Sequence, residues 1–194
     1  MSIAYRLMYR LGFTPWDRVM PSELIEVLDS LPPGRALDLG AGKGTKAVMM
    51  ASHGWQVTAV ENVPRALAEG KRRAKQASVT IDFRLGDVTR LEKLKLEPGY
   101  TLVFDFGCFH GLNSRQREAY ISGVKSLAAP GATLLMMAFS KPLPPITTGV
   151  TASELMERFG PDWRLEWSRP QSSTEEGTAA MGRAAASWFC LKRS

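Results

Sequence analysis

Three short stretches set chemically useful residues at the ends of apolar runs. In "RALDLGAGKGTKAV" (35–48), Asp38 sits near the end of such a run, and Gly40, Gly42 and Gly44 alternate with Ala41 and Lys43 before a helical pattern begins. In "VTAVEN" Glu61 closes the next run with Asn62 beside it, and "GDVTRL" sets Asp87 and Val88 after a third. A strand that ends in glycines and turns directly into a helix presents backbone N–H groups and the positive end of a helix dipole. The missing Cβ atoms let a nucleotide-like ligand approach the backbone and allow turn angles closed to other residues. A carboxylate at the end of the second strand can accept from both hydroxyls of a ribose. One after the third can accept from the exocyclic amine of adenine while Val88 faces the ring. Each feature has a plainer reading, the glycines as a tight turn and the two acids as turn or capping groups. Their joint occurrence at consecutive strand ends favours a ligand. A dinucleotide fingerprint would need glycine at position 45, where Thr45 stands, so nicotinamide and flavin lose ground.

These residues need strand ends to hold them, and the pattern supplies them. A helix is expected from Pro21 and Ser22 through Leu31, with Leu24, Ile25, Val27 and Leu28 apolar, ended by Pro32, Pro33 and Gly34. From Arg35 the chain alternates: strand, helix 44–52, strand 55–60, a helix opened by Pro64, and strand 79–84. Strand 100–107 then leads into a helix capped by Asn113 or Ser114, and "ATLLMMAF" (132–139) reads as a strand buried on both faces. A helix over 152–159 with Thr151 as its cap precedes two strands, 163–168 and 186–192, with no helix between them. Alternation of this kind predicts an α/β fold with a mostly parallel sheet, helices on both faces and an antiparallel closing pair.

Composition narrows the class. The chain has 194 residues, 44% apolar and 23% charged, which fits one globular domain with a sizeable core. Its apolar runs fall short of the roughly 20 residues that span a bilayer, and its start lacks an apolar signal core, so a cytoplasmic protein with no membrane partner is expected. Two cysteines, Cys108 and Cys190, support neither a disulfide framework nor a zinc site, and no metal is expected. The net charge is +6, but the basic run Lys71, Arg72, Arg73 and Lys75 falls on a predicted helix, where a solvated face accounts for it. No recognition module accompanies it, so nucleic acid is not the expected partner. The sequence carries no signal for an oligomeric state.

Taken together, "LDLGAGKGTKAV", "VTAVEN", "GDVTRL" and "LVFDFGCFHGL" resemble the successive motifs of class I S-adenosylmethionine-dependent methyltransferases over roughly residues 35–140. "LAAPGATLLMMAF" resembles the turn and fifth strand of that family. The stretches "TPWD" and "FDFGCFHGL" are similar to the thiopurine and halide/thiol small-molecule methyltransferases and to short bacterial relatives. The resemblance implies a Rossmann-like seven-stranded sheet with an antiparallel last strand. It divides the single domain into an N-terminal helical lid segment (1–34), a cofactor-binding core (35–140), and a substrate-side loop with closing strands (141–194). It further implies that Gly40, Ala41, Gly42 and Gly44 line the methionine and ribose of S-adenosylmethionine, with Asp38 near its amino group. Glu61 with Asn62 would take the ribose, and Asp87 with Val88 the adenine. Ala41 and Lys43 depart from the residues more common there, and Lys43 is read as pointing to solvent or toward the cofactor carboxylate.

Methyl transfer from a sulfonium is an in-line displacement, so a protein chiefly has to align nucleophile, carbon and sulfur and exclude water. The segment Asp105–Asn113 is where the methyl group is expected to emerge, with Asp105 and Phe106 on the cofactor side and Phe106 and Phe109 as apolar walls. His110 reads as a general base or orienter of the acceptor, or as a structural group capping the following helix. Cys108 lines the same place; no base is paired with it, and a small buried role competes with a nucleophilic one. The resemblance makes Trp16 and Arg18 candidates for a lid over the substrate, against a core role for Trp16. The proline-rich loop 139–151 is the other candidate wall. The expected function is methyl transfer to a small-molecule acceptor through S, O or N. The alternatives are a cofactor-binding protein or non-methylating enzyme on the same fold, and, less favoured, a methyltransferase of nucleic acid or protein.

Overall fold

The computed structural model describes residues 20–144, 147–171 and 185–194. Trp16, Arg18 and the rest of 1–19 lie outside the described residues, as does most of the 169–185 segment. The first described helix, α1 (Ser22–Ser30), buries Leu24, Val27 and Leu28. Ile25, expected on the same apolar stripe, is instead exposed, and Glu23 is buried.

The chain then builds β1 (Arg35–Leu39), α2 (Thr45–Ser52), β2 (Gln56–Glu61), α3 (Pro64–Gln76) and β3 (Ile81–Leu85). A 3₁₀ segment over Val88–Leu94, absent from the sequence expectation, leads to β4 (Tyr100–Phe106). A 3₁₀ turn at Phe109–Gly111 leads into α4 (Ser114–Leu127), followed by β5 (Ala128–Phe139), α5 (Ala152–Phe159), β6 (Trp163–Pro170) and β7 (Ala186–Arg193). Local chemistry accounts for several boundaries. Pro64 starts α3 at the position where its missing N–H costs nothing. Asn113 and Gln116 close a reciprocal capping box on α4, and the Thr151 hydroxyl accepts from Glu154 N to start α5.

The seven strands lie in the order β3-β2-β1-β4-β5-β7-β6. β1 to β5 pair in parallel, and β7 runs antiparallel between β5 and β6, as expected. Alternation along the strands splits the core in two. Leu37, Val103 and Leu134 face α4, α5 and the 3₁₀ segment, whereas Ala36, Phe104, Leu135 and Trp188 face α1 and α2. Residues 132–139 are buried throughout, so β5 is covered on both faces. The order reverses direction between β1 and β4, the place where open α/β sheets bind ligands beyond their carboxyl ends.

Helix α3 approaches the turn after β1 closely because Gly70 carries no side chain. A Cβ at Gly70 would lie 2.7 Å from the Phe83 ring, and one at Gly44 would lie 3.1 Å from Gly70 Cα. Gly70→Ala is therefore expected to lower unfolding free energy by about 1–3 kcal/mol, the overpacking range, in urea denaturation. A gain of about 1 kcal/mol, the helix propensity of alanine over glycine, would show that the contact gives way instead.

Candidate functional site

Five turns meet at the carboxyl end of the parallel strands, and backbone hydrogen bonds tie them together. Gly40 N and Ala41 N both donate to Val60 O, Gly86 N donates to Glu61 O, and Gly107 N donates to Met137 O. Gly40 adopts a φ of +78°, and a Cβ there would lie 2.8 Å from Cys108 Cβ and 2.9 Å from its sulfur. The glycine thus lets the turns after β1 and β4 touch across the point where the sheet reverses. Cys108 is half-buried with its thiol pushed well up by burial, which disfavours the thiolate a nucleophile needs.

Glu61 is buried, and three backbone donors hold its carboxylate. Gly42 N donates to Oε2 at 2.9 Å, and Asn62 N and Val63 N donate to Oε1 at 2.8 Å each. The capping role and a ligand role are compatible, because an ionised carboxylate offers about four acceptor positions. Asp87 caps the 3₁₀ segment, accepting from Thr89 N at 2.9 Å and the Thr89 hydroxyl at 2.8 Å. Burial works to raise the pKa of Asp87, but these two hydrogen bonds together with nearby positive charge, Arg90 included, hold the group below its usual value. Val88 is buried behind it.

Asp38 differs from both. It is 2% exposed, and its Oδ2 finds no hydrogen-bond partner among the described residues. Burial pushes its pKa up to about 8, with Asp105 and Glu61 adding to the rise and Lys46 opposing it. Lys46, a residue the sequence did not single out, is only 6% exposed, and its ammonium lies 4.6 Å from the centre of the Phe106 ring. Lys43, which did stand out in the sequence, is half-buried.

The turn after β4 is organised from beneath. Asp105 is fully buried and accepts from Cys108 N at 2.8 Å, Phe109 N at 3.1 Å and the Tyr120 hydroxyl at 2.8 Å. Burial nevertheless lifts its pKa to about 7 against these hydrogen bonds. Phe109 is itself core, packed edge-on to Tyr120 with centroids 5.1 Å apart, so it supports the turn and forms no wall. Phe106 remains half-buried above Phe104 and beside Trp188.

His110 is not the cap of α4, since Asn113 and Gln116 fill that role. It is 1% exposed and stacks on Phe139 at 4.4 Å, with Phe139 N donating to its Nδ1 at 3.4 Å. That contact assigns the ring proton to Nε2. Burial, aided by the Arg117 charge, lowers its pKa to about 3, so the imidazole is neutral and a weak base. Arg117 donates to His110 O, Leu112 O and Gly149 O and pairs with Glu154 at 2.7 Å. It thereby fastens the His110 turn to the loop after β5. A cavity of about 480 Å³ opens along that loop, lined among others by Asn113, Arg117, Ser140 and Glu154.

The cradle fits an adenosyl amino acid on an observation of its own, the buried and unpaired Asp38 oxygen beneath a glycine turn. Among the described residues no cluster of His, Cys, Asp and Glu could hold a metal ion, and no helix is long and apolar enough to cross a membrane. His53 caps α2 through Nδ1 against Met49 O, as expected of a helix end. Lys71, Arg72 and Lys75 are exposed, and Arg72 and Arg73 pair with Glu69.

Comparison with known proteins points the same way. Residues 36–131 match the family described as a methyltransferase domain. The chain is 25% identical over 159 residues to the 2-heptyl-1-hydroxyquinolin-4(1H)-one methyltransferase of Mycobacteroides abscessus, covering 78% of this chain and 69% of that one. It is 31% identical over 160 residues to the ubiquinone biosynthesis O-methyltransferase of Xanthomonas campestris, covering 75% of this chain and 64% of that one. The chain spans 59–69% of the length of the first curated relatives it matches. Its fold superposes with a TM-score of 0.75 on the Burkholderia thailandensis 1,6-didemethyltoxoflavin-N1-methyltransferase, a structure with bound 1,6-didemethyltoxoflavin and S-adenosylhomocysteine. That match has 19% identity and covers 98% of this chain and 86% of the other.

The raised pKa of Asp38 has a measurable sign. An unfolded Asp titrates near about 4, whereas the folded one titrates at about 8, so the folded state holds the extra proton between these values. The stability Asp38 contributes is full below the lower value and is lost as pH rises through the upper one. Other groups, His110 among them, shift in the opposite sense, so the comparison is with Asp38→Asn. The stability difference, variant minus wild type, is expected to grow from pH 5 to pH 8 by up to about 1.4 kcal/mol per pH unit. A flat difference would place the titration of Asp38 at its ordinary value.

Proposed function

The chain belongs to the class I S-adenosylmethionine-dependent methyltransferases, and from that premise we propose that it methylates a small-molecule acceptor at S, O or N. The observation that carries this reading is the pairing of the glycine turn with carboxylates at consecutive strand ends, Asp38 beneath it and Glu61 beside it. Bound there, S-adenosylmethionine supplies a methyl carbon on a sulfonium; an acceptor lone pair takes it in line as the carbon–sulfur pair returns to sulfur.

Within this reading the residues divide by place. Gly40, Ala41 and Gly42 border the methionine and ribose, Asp38 receives the amino group, Glu61 with Asn62 receives the ribose hydroxyls, and Asp87 with Val88 borders the adenine. Gly44 serves mainly to seat α2 against Gly70 of α3. Asp105 acts through the turn it holds, and Phe106 with Cys108 borders the reacting end. The cavity along 140–151 has the size of small-ligand sites, which run from about 300 to 1,000 Å³, and supports acceptor recognition on that side. By their names, the relatives above are methyltransferases of a hydroxyquinolone, of ubiquinone biosynthesis and of 1,6-didemethyltoxoflavin. That likeness supports a small acceptor here as well.

His110 is a neutral, low-basicity imidazole in this site, so within this reading it packs and orients the acceptor and does not take its proton. Mass spectrometry of products from S-adenosylmethionine with a panel of thiols, phenols, N-hydroxy heterocycles and amines tests the function. Methylated product from none of them, despite cofactor binding, would favour the binding-protein alternative. In calorimetry Glu61→Ala is expected to weaken S-adenosylhomocysteine by about 5- to 150-fold, from about 1–3 kcal/mol of unpaired backbone and ribose donors. His110→Ala is expected to lower turnover by the same factor for an acidic thiol and a weakly acidic phenol, with the pH profile keeping its shape. A loss confined to the phenol would assign proton removal to His110 after all.

A further inference from the structure

The cavity beside the loop after β5 lies between the starts of two helices, with the caps Asn113 of α4 and Thr151 of α5 both on its wall. Pro142 is the one apolar side chain among its lining residues, and the charged ones are Arg117, Arg158 and a single acid, Glu154. A site for an apolar ring is lined the other way, by hydrophobic and aromatic side chains with few polar groups among them.

The arginines show what is missing from it. A guanidinium has five N–H donors and no acceptor. Arg117 commits Nε to Leu112 O, Nη1 to Gly149 O and Glu154, and one N–H of Nη2 to His110 O. The second Nη2 N–H has no acceptor among the described residues, although Arg117 is only 3% exposed. Arg158 donates from Nε to Glu154, from Nη1 to Glu118 and from Nη2 to Ser114 Oγ, which leaves one further N–H on each Nη. Both guanidiniums share Glu154, so inside the cavity two positive charges meet one negative charge. Glu118 also pairs with Arg158, but its side chain is 62% exposed, where water and salt screen it. Water satisfies the buried donor alone, whereas a ligand oxyanion supplies the missing charge as well.

We propose that the methyl acceptor carries a carboxylate apart from its nucleophilic atom, and that Arg117 and Arg158 hold that carboxylate in this cavity. The inference rests on the methyl-transfer reading above and names its substrate class. A surplus of one positive charge suits a monoanion better than a doubly charged phosphate, and the planar fork of a guanidinium matches a carboxylate. The place fits too. Arg117 also fastens His110 O and Leu112 O, so the cavity adjoins the turn after β4 on which Cys108 lies. An acid seated on the arginines leaves the rest of a small molecule to extend toward that turn.

Matched acids and amides test this, since they differ in charge and hardly in shape. The ortho, meta and para mercaptobenzoates, hydroxybenzoates and aminobenzoates, and the carboxamide of each, are offered with S-adenosylmethionine to wild-type protein, Arg158→Gln and Arg158→Met. The kcat/KM values are compared within each pair, and comparing the same pair between proteins cancels the intrinsic reactivity of acid and amide. The wild type is expected to prefer the acid by about tenfold or more in at least one pair, and both variants to bring that preference below about threefold, as the loss of charge-assisted hydrogen bonds implies. Affinity for S-adenosylhomocysteine is expected to stay within about threefold of wild type in calorimetry, because the substitution lies outside the cofactor cradle; melting curves confirm the fold. A wild-type preference near unity, or for the amide, overturns the inference and leaves the methyl-transfer reading intact, whether or not the variants fold. A preference retained in a folded Arg158 variant overturns it as well. Methylated product from none of the acids and amides removes the methyl-transfer reading itself, and the inference with it.

Discussion

Glu61 couples two turns that would otherwise be set independently. Its carboxylate draws Gly42 N–H from the turn after β1 and the N–H groups of Asn62 and Val63 from the turn before α3. Hydrogen bonds to an ionised acceptor are stronger than neutral ones, and these are buried, where leaving them unmade is costly. The direction of the glycine turn and the start of α3 thus follow from one side chain, the same one proposed above to receive the ribose. Gly70 against Gly44 and Phe83 supplies the steric counterpart, because α3 reaches the turn only where no Cβ intervenes.

The turn after β4, the proposed acceptor side, is built on a different principle. Asp105 and Tyr120 hold the turn after β4 from the α4 face, and Arg117 binds three carbonyls and Glu154 at once. Arg158 extends this ionic chain to Glu154, Glu118 and Ser114. The turns after β1 and β2 thus depend on close packing and backbone donors, and the turn after β4 with the loop after β5 on a buried guanidinium whose planar fork suits several acceptors together.

What was legible in the sequence is what local chemistry decides. The caps at Asn113 and Thr151, Pro64 at the start of α3 and the alternation that fixed a mostly parallel sheet all depend on neighbours within a few residues. The acids at the strand ends were legible because strand ends are where acids become chemistry. Features decided by distant contacts were not. Ile25 keeps helical spacing yet faces outward, and β5 begins at Ala128, before the Pro130–Gly131 pair that reads as a turn. For His110 the sequence left a catalytic and a structural role open; Asn113 takes the cap of α4, and the stack of His110 on Phe139 spans 29 positions. Lys46 was invisible for the same reason, since a helical lysine reads as solvated until Phe106 is seen beside it.

Among the described residues β3 and β6 form the two borders of the sheet, and each is studded with charge. Asp82 pairs with Arg84 on β3, while on β6 Arg164 pairs with Glu166 and Arg169 with Glu26, ending at Pro170. A foreign strand docking on either border would have to desolvate these ions, and at Pro170 it would meet a residue with no N–H to offer. The parallel strands inside, apolar enough to template growth if exposed, are in this way fenced on both flanks. The fold guards its own sheet against runaway pairing without closing it into a barrel.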